Sequence, residues 1–267
     1  KEQIDKYMVA SPIMNIIIQA TRKAAKIYMR DFGEIQNLQT STNSIKYFTD
    51  KSKNRVQDIL IEEITKAYPK NGIICDNYYK DTDNPTDGVW IINILDGEEN
   101  YSRAIPYFSL SVAYKKNNVI TDGVVYNPST DDLFMAEKGK GASLNGKRIR
   151  VSSMETINNS MISIRKYDDI TTIANKKLCS NLSAEGANIR SFGSPSIDIV
   201  RVASGNIDAY IQNNNSLITL AASILILLES GGRITDFTGE NKWIENKQII
   251  VSNDKIHNEI INRMNKK

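Results

Sequence analysis

Oxygen-bearing side chains collect at three places in this sequence. The first is Ile74-Cys75-Asp76-Asn77. The second is the stretch from Trp90 to Asn100, which carries Asn93, Asp96, Gly97, Glu98 and Glu99. The third is Leu217-Ile218-Thr219-Leu220-Ala221-Ala222-Ser223, followed by Glu229-Ser230-Gly231-Gly232. All three fall at the C-terminal ends of expected strands, where α/β folds usually place chemistry. What is missing narrows that chemistry. His257 is the single histidine and lies in the last expected helix, so a Ser-His-Asp or Cys-His mechanism has no general base. Histidine metal clusters are excluded for the same reason. Cys75 and Cys179 have neither metal-like spacing nor a disulfide framework around them, and they read as two reduced, buried thiols.

Local patterns supply the elements that must position these residues. Ile13 to Met29 repeats apolar residues at helical spacing and leaves Arg22, Lys23 and Lys26 outside. A second amphipathic helix is expected around Asn54 to Tyr68, stopped by Pro69. Gly72 to Cys75 reads as a short strand, and Val89 to Leu95 as a buried strand ended by the Asp96-Gly97 turn. Strands at Phe108–Lys115, Val119–Tyr126, Asp132–Glu137 and Ala142–Val151 follow, separated by turn signals, and predict an antiparallel meander. From about residue 152 the pattern alternates. Strands are expected at Met161–Ile164, Ile189–Ser191, Ile207–Ile211, Arg233–Asp236 and Gln248–Val251, and helices at Ile170–Leu182, Ser196–Ala203, Thr219–Leu228 and Lys255–Met264. No linker separates residues 1–151 from 152–267, so one α/β body with two sheets is expected.

Composition sets the outer bounds. A chain of 267 residues and 30.0 kDa buries a core without staples. With 40% hydrophobic and 24% charged residues, disordered, collagen-like and coiled-coil classes are excluded. The longest apolar stretch, Leu220 to Leu228, is too short to span a membrane. The opening KEQIDKYMVA lacks the apolar region of an export signal, so a cytoplasmic location is expected. Thirty-four basic against thirty-one acidic residues leave +3, too little for net charge to support nucleic-acid binding. Lys138, Lys140, Lys147, Arg148 and Arg150 do make one sheet edge basic, which reads either as a solvated face or as an RNA or protein contact. Trp90 and Trp243 read as core, with ligand stacking as the alternative.

Taken together, the three strand-end segments resemble the inositol monophosphatase family. Its pattern has Glu-Glu after one strand, W-x-I-D-P-x-D-G-T-x-N at the next, and W-D-x-A-A-G with E-A-G-G near the end. The resemblance runs from the first helix through Asp236-Phe237-Thr238-Gly239. It is closest to the bacterial SuhB, or extragenic suppressor, branch, through Tyr107 to Ala113, Gly141 to Gly146 and Ser230 to Gly239. It implies a layered αβαβα sugar-phosphatase fold, a homodimer, and Mg²⁺-dependent hydrolysis of phosphate monoesters by a metal-activated water.

Carried over residue by residue, the resemblance places metal positions at Asp76, Asn93, the Leu95 carbonyl, Asp96 and Thr219, with an upstream aspartate position at Ser52. Asn77 stands where the second glutamate would be, Ile94 where the proline would be, and Ile218 where the tryptophan would be. Asn93 and Thr219 keep an oxygen but lose the charge. A divalent ion draws several kcal/mol from each nearby carboxylate even at an effective dielectric of about 20, so these losses weaken Mg²⁺ binding by orders of magnitude. Glu98 stands at the position of a threonine that helps orient the attacking water. Asp76, Asp96 and Glu98 form either a rewired cation site or acidic residues on a solvated turn.

The substrate side departs as well. Gly97 and the Glu98 amide fall on the phosphate cradle, Gly193, Ser194 and Pro195 on the sugar-binding turn, and Gln212 on a glutamate that binds a hydroxyl. Proline at 195 removes an amide donor. The expectation is a catalytically weak or inactive protein, a pseudoenzyme retained as a partner of the transcription antitermination and ribosomal RNA maturation machinery. The alternative is an active Mg²⁺-dependent phosphatase acting on myo-inositol monophosphate or a related small phosphate ester.

Overall fold

The N-terminal helices cover one face of a large sheet because each carries a continuous apolar stripe. Helix α1 (Pro12–Ile35) starts at an N-cap serine: Ser11 Oγ accepts the Met14 N–H at 3.0 Å, and Pro12 occupies the first helical position. Met14, Ile17, Ala20, Ala24, Tyr28 and Ile35 are buried on its inner face. Helix α2 (Thr42–Ala67) begins upstream of the expected Asn54 and packs along α1, burying Val56, Leu60 and Ile64. The computed structural model describes residues 10–35, 42–82, 84, 87–165 and 171–265. Ile170, the first residue of the expected helix Ile170–Leu182, lies outside these.

The strands are β1 (Gly72–Cys75), β2 (Tyr78–Lys80), β3 (Val89–Asp96), β4 (Ser109–Lys116), β5 (Val119–Asn127), β6 (Asp132–Glu137), β7 (Gly141–Leu144) and β8 (Lys147–Arg148), with the short helix α3 (Glu98–Ser102) after β3. They form one mixed sheet in the order β2-β1-β3-β4-β5-β6-β7-β8, in which β1 and β3 are parallel and the other pairs antiparallel. The expected strand Ala142–Val151 is instead the hairpin β7–β8. Asn145 and Gly146, at φ 48° and 76°, make the two-residue turn that divides it. The short β2 and α3 lack a pattern long enough to read from the sequence.

The second sheet runs β10-β9-β11-β13-β12, from β9 (Met161–Ile164), β10 (Asn188–Arg190), β11 (Ala209–Asn213), β12 (Arg233–Thr235) and β13 (Gln248–Ser252). Helices α5 (Pro195–Ala203) and α6 (Leu217–Glu229) lie between the two sheets, while α4 (Thr171–Ala184) and α7 (Asp254–Asn265) cover the far side. The layers therefore run α, β, α, β, α. Among the described residues there are seven helices, and none is long and apolar enough to cross a membrane. Helix α6 is apolar nearly all round because both of its faces are covered, and Leu220 to Leu227 are buried. Its core joins the two halves of the chain: Ile91, Ala113, Val125 and Phe134 of the large sheet pack in one cluster with Val200, Tyr210, Leu225 and Ile249.

Trp90 is fully buried against Tyr68 and Tyr114, with ring centroids 5.5 and 4.7 Å away, and Trp243 packs on the central cluster. Both cysteines are free thiols, Cys75 buried and Cys179 half-buried. His257 is buried between Thr235 Oγ1 and Ser252 Oγ, 2.8 and 2.7 Å from its ring nitrogens. Burial pushes it down to about 4.

Candidate functional site

The site is built where β1 and β3 end. These strands are parallel, with Cys75 opposite Ile92, so Asp76 and Asn93 are the next residues on neighbouring strands. Past Asn93 the pairing with β4 shifts. Asn93 faces Ser111 and Asp96 faces Ser109, so three steps on β3 match two on β4. Such a bulge bends a strand and re-aims its side chains. Within it, the Ile94 carbonyl accepts a hydrogen bond from the buried Tyr28 hydroxyl at 2.8 Å. Asn93, Leu95 and Asp96 are buried.

The chain then turns at Gly97, with φ 80° and ψ 38°. A Cβ there would sit 2.8 Å from the Tyr107 carbonyl oxygen and 3.2 Å from Ser194 Cβ, so the position requires glycine. This close approach brings the β3 end against the start of α5. The Asp96 carboxylate accepts hydrogen bonds from Ser194 Oγ and from the Ser196 N–H, both at 2.7 Å on Oδ2. Ser194 is the N-cap residue of α5 but does not cap it with its own hydroxyl. Asp96, from the other sheet, satisfies the free Ser196 amide instead. Pro195 fits the first helical position, whose N–H has no partner within the helix. Ser196 Oγ in turn donates to the Thr219 carbonyl at 2.9 Å, which ties α5 to the first turn of α6.

Asp76 thus follows β1 beside Asn93 across the β1–β3 register, and Asp96 is linked through Ser196 to the Thr219 carbonyl. Gly193, at φ 89°, sits over Asn100, whose side-chain amide donates to the Phe192 and Tyr107 carbonyls at 2.8 Å each. The described hydrogen bonds of Gln212 are to its own strand and the turn after it: Tyr210 Oη donates to Oε1 at 2.9 Å, and Nε2 donates to the Asn214 carbonyl at 3.5 Å.

Helix α2 contributes the expected Ser52 and two residues, Lys53 and Gln57, that the sequence pattern did not single out. Ser52 is fully buried and turned toward α1, its hydroxyl donating to Asp31 Oδ2 at 2.6 Å. Its neighbour Lys53 faces the strand ends, with Nζ 2.7 Å from Glu98 Oε2. One turn later on the same helix, Gln57 lies 3.5 Å from the Cys75 thiol. Helical spacing at Lys53 and Gln57 was the available signal.

The electrostatics follow from these contacts. Burial raises the Asp96 carboxyl above its ordinary range, opposed by the hydrogen bonds from Ser194 and Ser196 and by the Arg165 charge. Desolvation also raises Asp76, opposed by the Lys53 ammonium, and Glu98 adds repulsion. Behind the site, Asp198 is buried. Its carboxylate accepts hydrogen bonds from Tyr107 Oη at 2.6 Å and Ser163 Oγ at 2.8 Å, and burial pushes it up to about 7. Among the described residues, no three His, Cys, Asp or Glu side chains group as a metal cage.

The basic edge is exposed at Lys138, Lys140, Lys147, Arg148 and Arg150, with Lys140 paired to Glu137 at 2.6 Å. The Glu229 carboxylate accepts the Gly139 and Gly141 N–H groups at 2.7 and 2.8 Å, fixing that turn.

Comparison with known proteins places this geometry. The crystal structure of the extragenic suppressor protein suhB from Bartonella henselae superposes with a TM-score of 0.87 at 31% identity, over 96% of this chain and 99% of that one. An inositol-1-monophosphatase of Rhizobium meliloti (strain 1021) is 34% identical over 253 residues, covering 93% of this chain and 94% of the relative. A putative Nus factor SuhB of Neisseria meningitidis serogroup B is 31% identical over 248 residues, covering 92% and 95%. Residues 10–267 match the inositol monophosphatase family as a whole. With that match covering nearly the entire sequence, the chain belongs to the inositol monophosphatase family.

Proposed function

We propose that this protein is a SuhB-like family member that binds partners of the transcription and ribosomal RNA maturation machinery and has little or no phosphatase activity. The observation that carries the second part is the state of two of the three remaining carboxylates, which are matched by groups of the chain itself. Asp96 is engaged by Ser194 and Ser196, and Glu98 by Lys53. Asn93 and Thr219 bring oxygen without charge. Mg²⁺ dehydrates reluctantly and requires an octahedron of hard oxygen ligands with enough negative charge to offset that cost. The residues present do not fit such an ion, although the family is generally Mg²⁺-dependent.

The partner-binding part is supported by relatives named putative Nus factor SuhB, from Neisseria meningitidis serogroup B, and Nus factor SuhB, from Pasteurella multocida, at 31% and 29% identity. Both are matched over more than nine-tenths of their length. On this reading the protein is cytoplasmic and homodimeric, and the two-sheet body acts as a rigid platform.

Two measurements test the reading. Hydrolysis of myo-inositol monophosphate, followed by phosphate release at millimolar Mg²⁺, is expected to run orders of magnitude below that of the Rhizobium relative. Binding to an elongation complex assembled from purified RNA polymerase and Nus factors is expected to be unaffected by chelation of divalent metal. The second reading, a working phosphomonoesterase, is favoured by the 34% identity to a protein named inositol-1-monophosphatase. Turnover matching that relative, abolished by Asp96→Ala, would establish it in place of the first.

A further inference from the structure

At the end of β1 and β3, a lysine stands among the acidic groups. Lys53 reaches over from α2 with its ammonium 2.7 Å from Glu98 Oε2. Its side chain is only 19% exposed, against 46% for Glu98, so its stem packs against the protein while the ion pair at its tip meets solvent. Gln57, one turn along α2, touches Cys75 immediately before Asp76, which holds this face of the helix over the strand ends.

We propose that the Lys53 ammonium is the resident cation of this site, held on Glu98 over the β1 end in place of a divalent metal. The inference rests on the reading of a site that does not hold Mg²⁺, and goes beyond it by naming what takes the role of the ion. An ammonium carries one positive charge and three N–H donors, which suits a carboxylate and neutral neighbours such as Asn93 and Thr219. A divalent ion entering from solvent must displace a group that is covalently held at the site, and so always present at high local concentration. Removing Lys53 leaves Glu98 without its paired ammonium beside the strand ends, an arrangement that recruits an external cation.

The test titrates Mn²⁺ into the full chain, Lys53→Met and Lys53→Met/Glu98→Gln, reading free Mn²⁺ by electron paramagnetic resonance. The parent is expected to bind no Mn²⁺ at millimolar concentration. Lys53→Met is expected to bind at least ten-fold more tightly than the parent, and the double variant to lose that gain. Should the parent bind none and Lys53→Met gain nothing, the tethered-cation inference is wrong while the metal-free reading stands. Tight Mn²⁺ binding by the parent overturns both. A companion measurement needs only folded parent. Nitrogen-15 signals of the Lys53 ammonium are expected to show slowed hydrogen exchange, unchanged by 10-fold excess Mg²⁺ and lost in Glu98→Gln. Loss of the signal on adding Mg²⁺ alone would overturn the proposal.

Discussion

Two buried aspartates in this protein are stabilised in opposite ways. Asp236, in the turn after β12, accepts hydrogen bonds from the Thr238 N–H and hydroxyl, the Glu240 N–H and the Asn246 amide, all within ten residues. Burial alone would raise its carboxyl, but these donors outweigh it and hold the group below the ordinary carboxylate range. Asp96 has two donors on one oxygen, both about a hundred residues away, and burial leaves its carboxyl raised. The Asp236 turn keeps the sequence on which the family resemblance rests. Around Asp96 that sequence departs, with Asn93 and Thr219 in place of aspartates. The difference teaches where a change of charge is tolerated. A carboxylate whose partners are its own neighbouring amides is needed by the fold, whereas one whose partner would be an external ion becomes a liability once the ion is lost.

The widest separation of the two regions should come from restoring charge at the strand end. Asn93→Asp with Thr219→Asp, in the Lys53→Met background, is expected to raise Mn²⁺ affinity at least 100-fold over the parent in calorimetric titration. The same variant should melt at a lower temperature than the parent without metal, since added carboxylates then share a partly buried site. Equal affinity in parent and variant would remove the basis for reading the strand end as neutralised.

The converse change is next in size. Asp236→Ala is expected to cost about 3 kcal/mol in urea unfolding, because several amide and hydroxyl donors lose a charged acceptor. Asp76→Asn, at an exposed strand end beside Glu98, is expected to change stability by less than about 0.5 kcal/mol. If the two cost the same, the distinction between fold carboxylate and site carboxylate does not hold.

A pH profile sharpens the comparison further, because two buried groups act with opposite sign. Asp198 is raised to about 7, so above about pH 4 and below 7 the folded state keeps a proton that the unfolded state has released. Its contribution to stability therefore falls as pH rises through that window. His257 is lowered to about 4, so from there to its ordinary value of 6.5 the unfolded state binds a proton that the folded state does not. Its contribution rises with pH over the same range. The two nearly cancel in the parent. Asp198→Asn removes one of them and is expected to unmask a rise of about 3 kcal/mol between pH 4 and 6.5, measured by denaturant midpoints. A variant profile that tracks the parent would contradict the burial argument.

The smallest effect is expected at Pro195. Its ring suits the first position of α5, so Pro195→Ala should cost under about 1 kcal/mol through the greater freedom of the unfolded chain. Thermal melting of the pair measures it. A larger loss would mean that the β3 end depends on the proline itself as well as on the Ser194 and Ser196 contacts.

Much of the scaffold was legible residue by residue. The apolar run from Val89 and its Asp96-Gly97 stop, the stripe of α1, and the alternation after residue 152 all report on neighbours a few positions apart, where backbone geometry fixes which side chains share a face. The Ala142–Val151 region was misjudged because Asn145-Gly146 forms a tight turn inside an otherwise strand-like stretch. The five residues of α3 were missed because one helical turn leaves no period to detect. At the site, residue types alone set the charge: an amide at 93, a hydroxyl at 219 and carboxylates at 76, 96 and 98. Their partners were not legible. Lys53 meets Glu98 across 45 residues and Asp96 meets Ser194 across 98, through the packing of α2 on the strand ends and of α5 between the sheets. Charge and local conformation belong to the residue and its immediate neighbours, so the chain carries them in any fold. Which cation answers which carboxylate depends on distances set by the whole packed core, and for Glu98 that packing supplied a lysine.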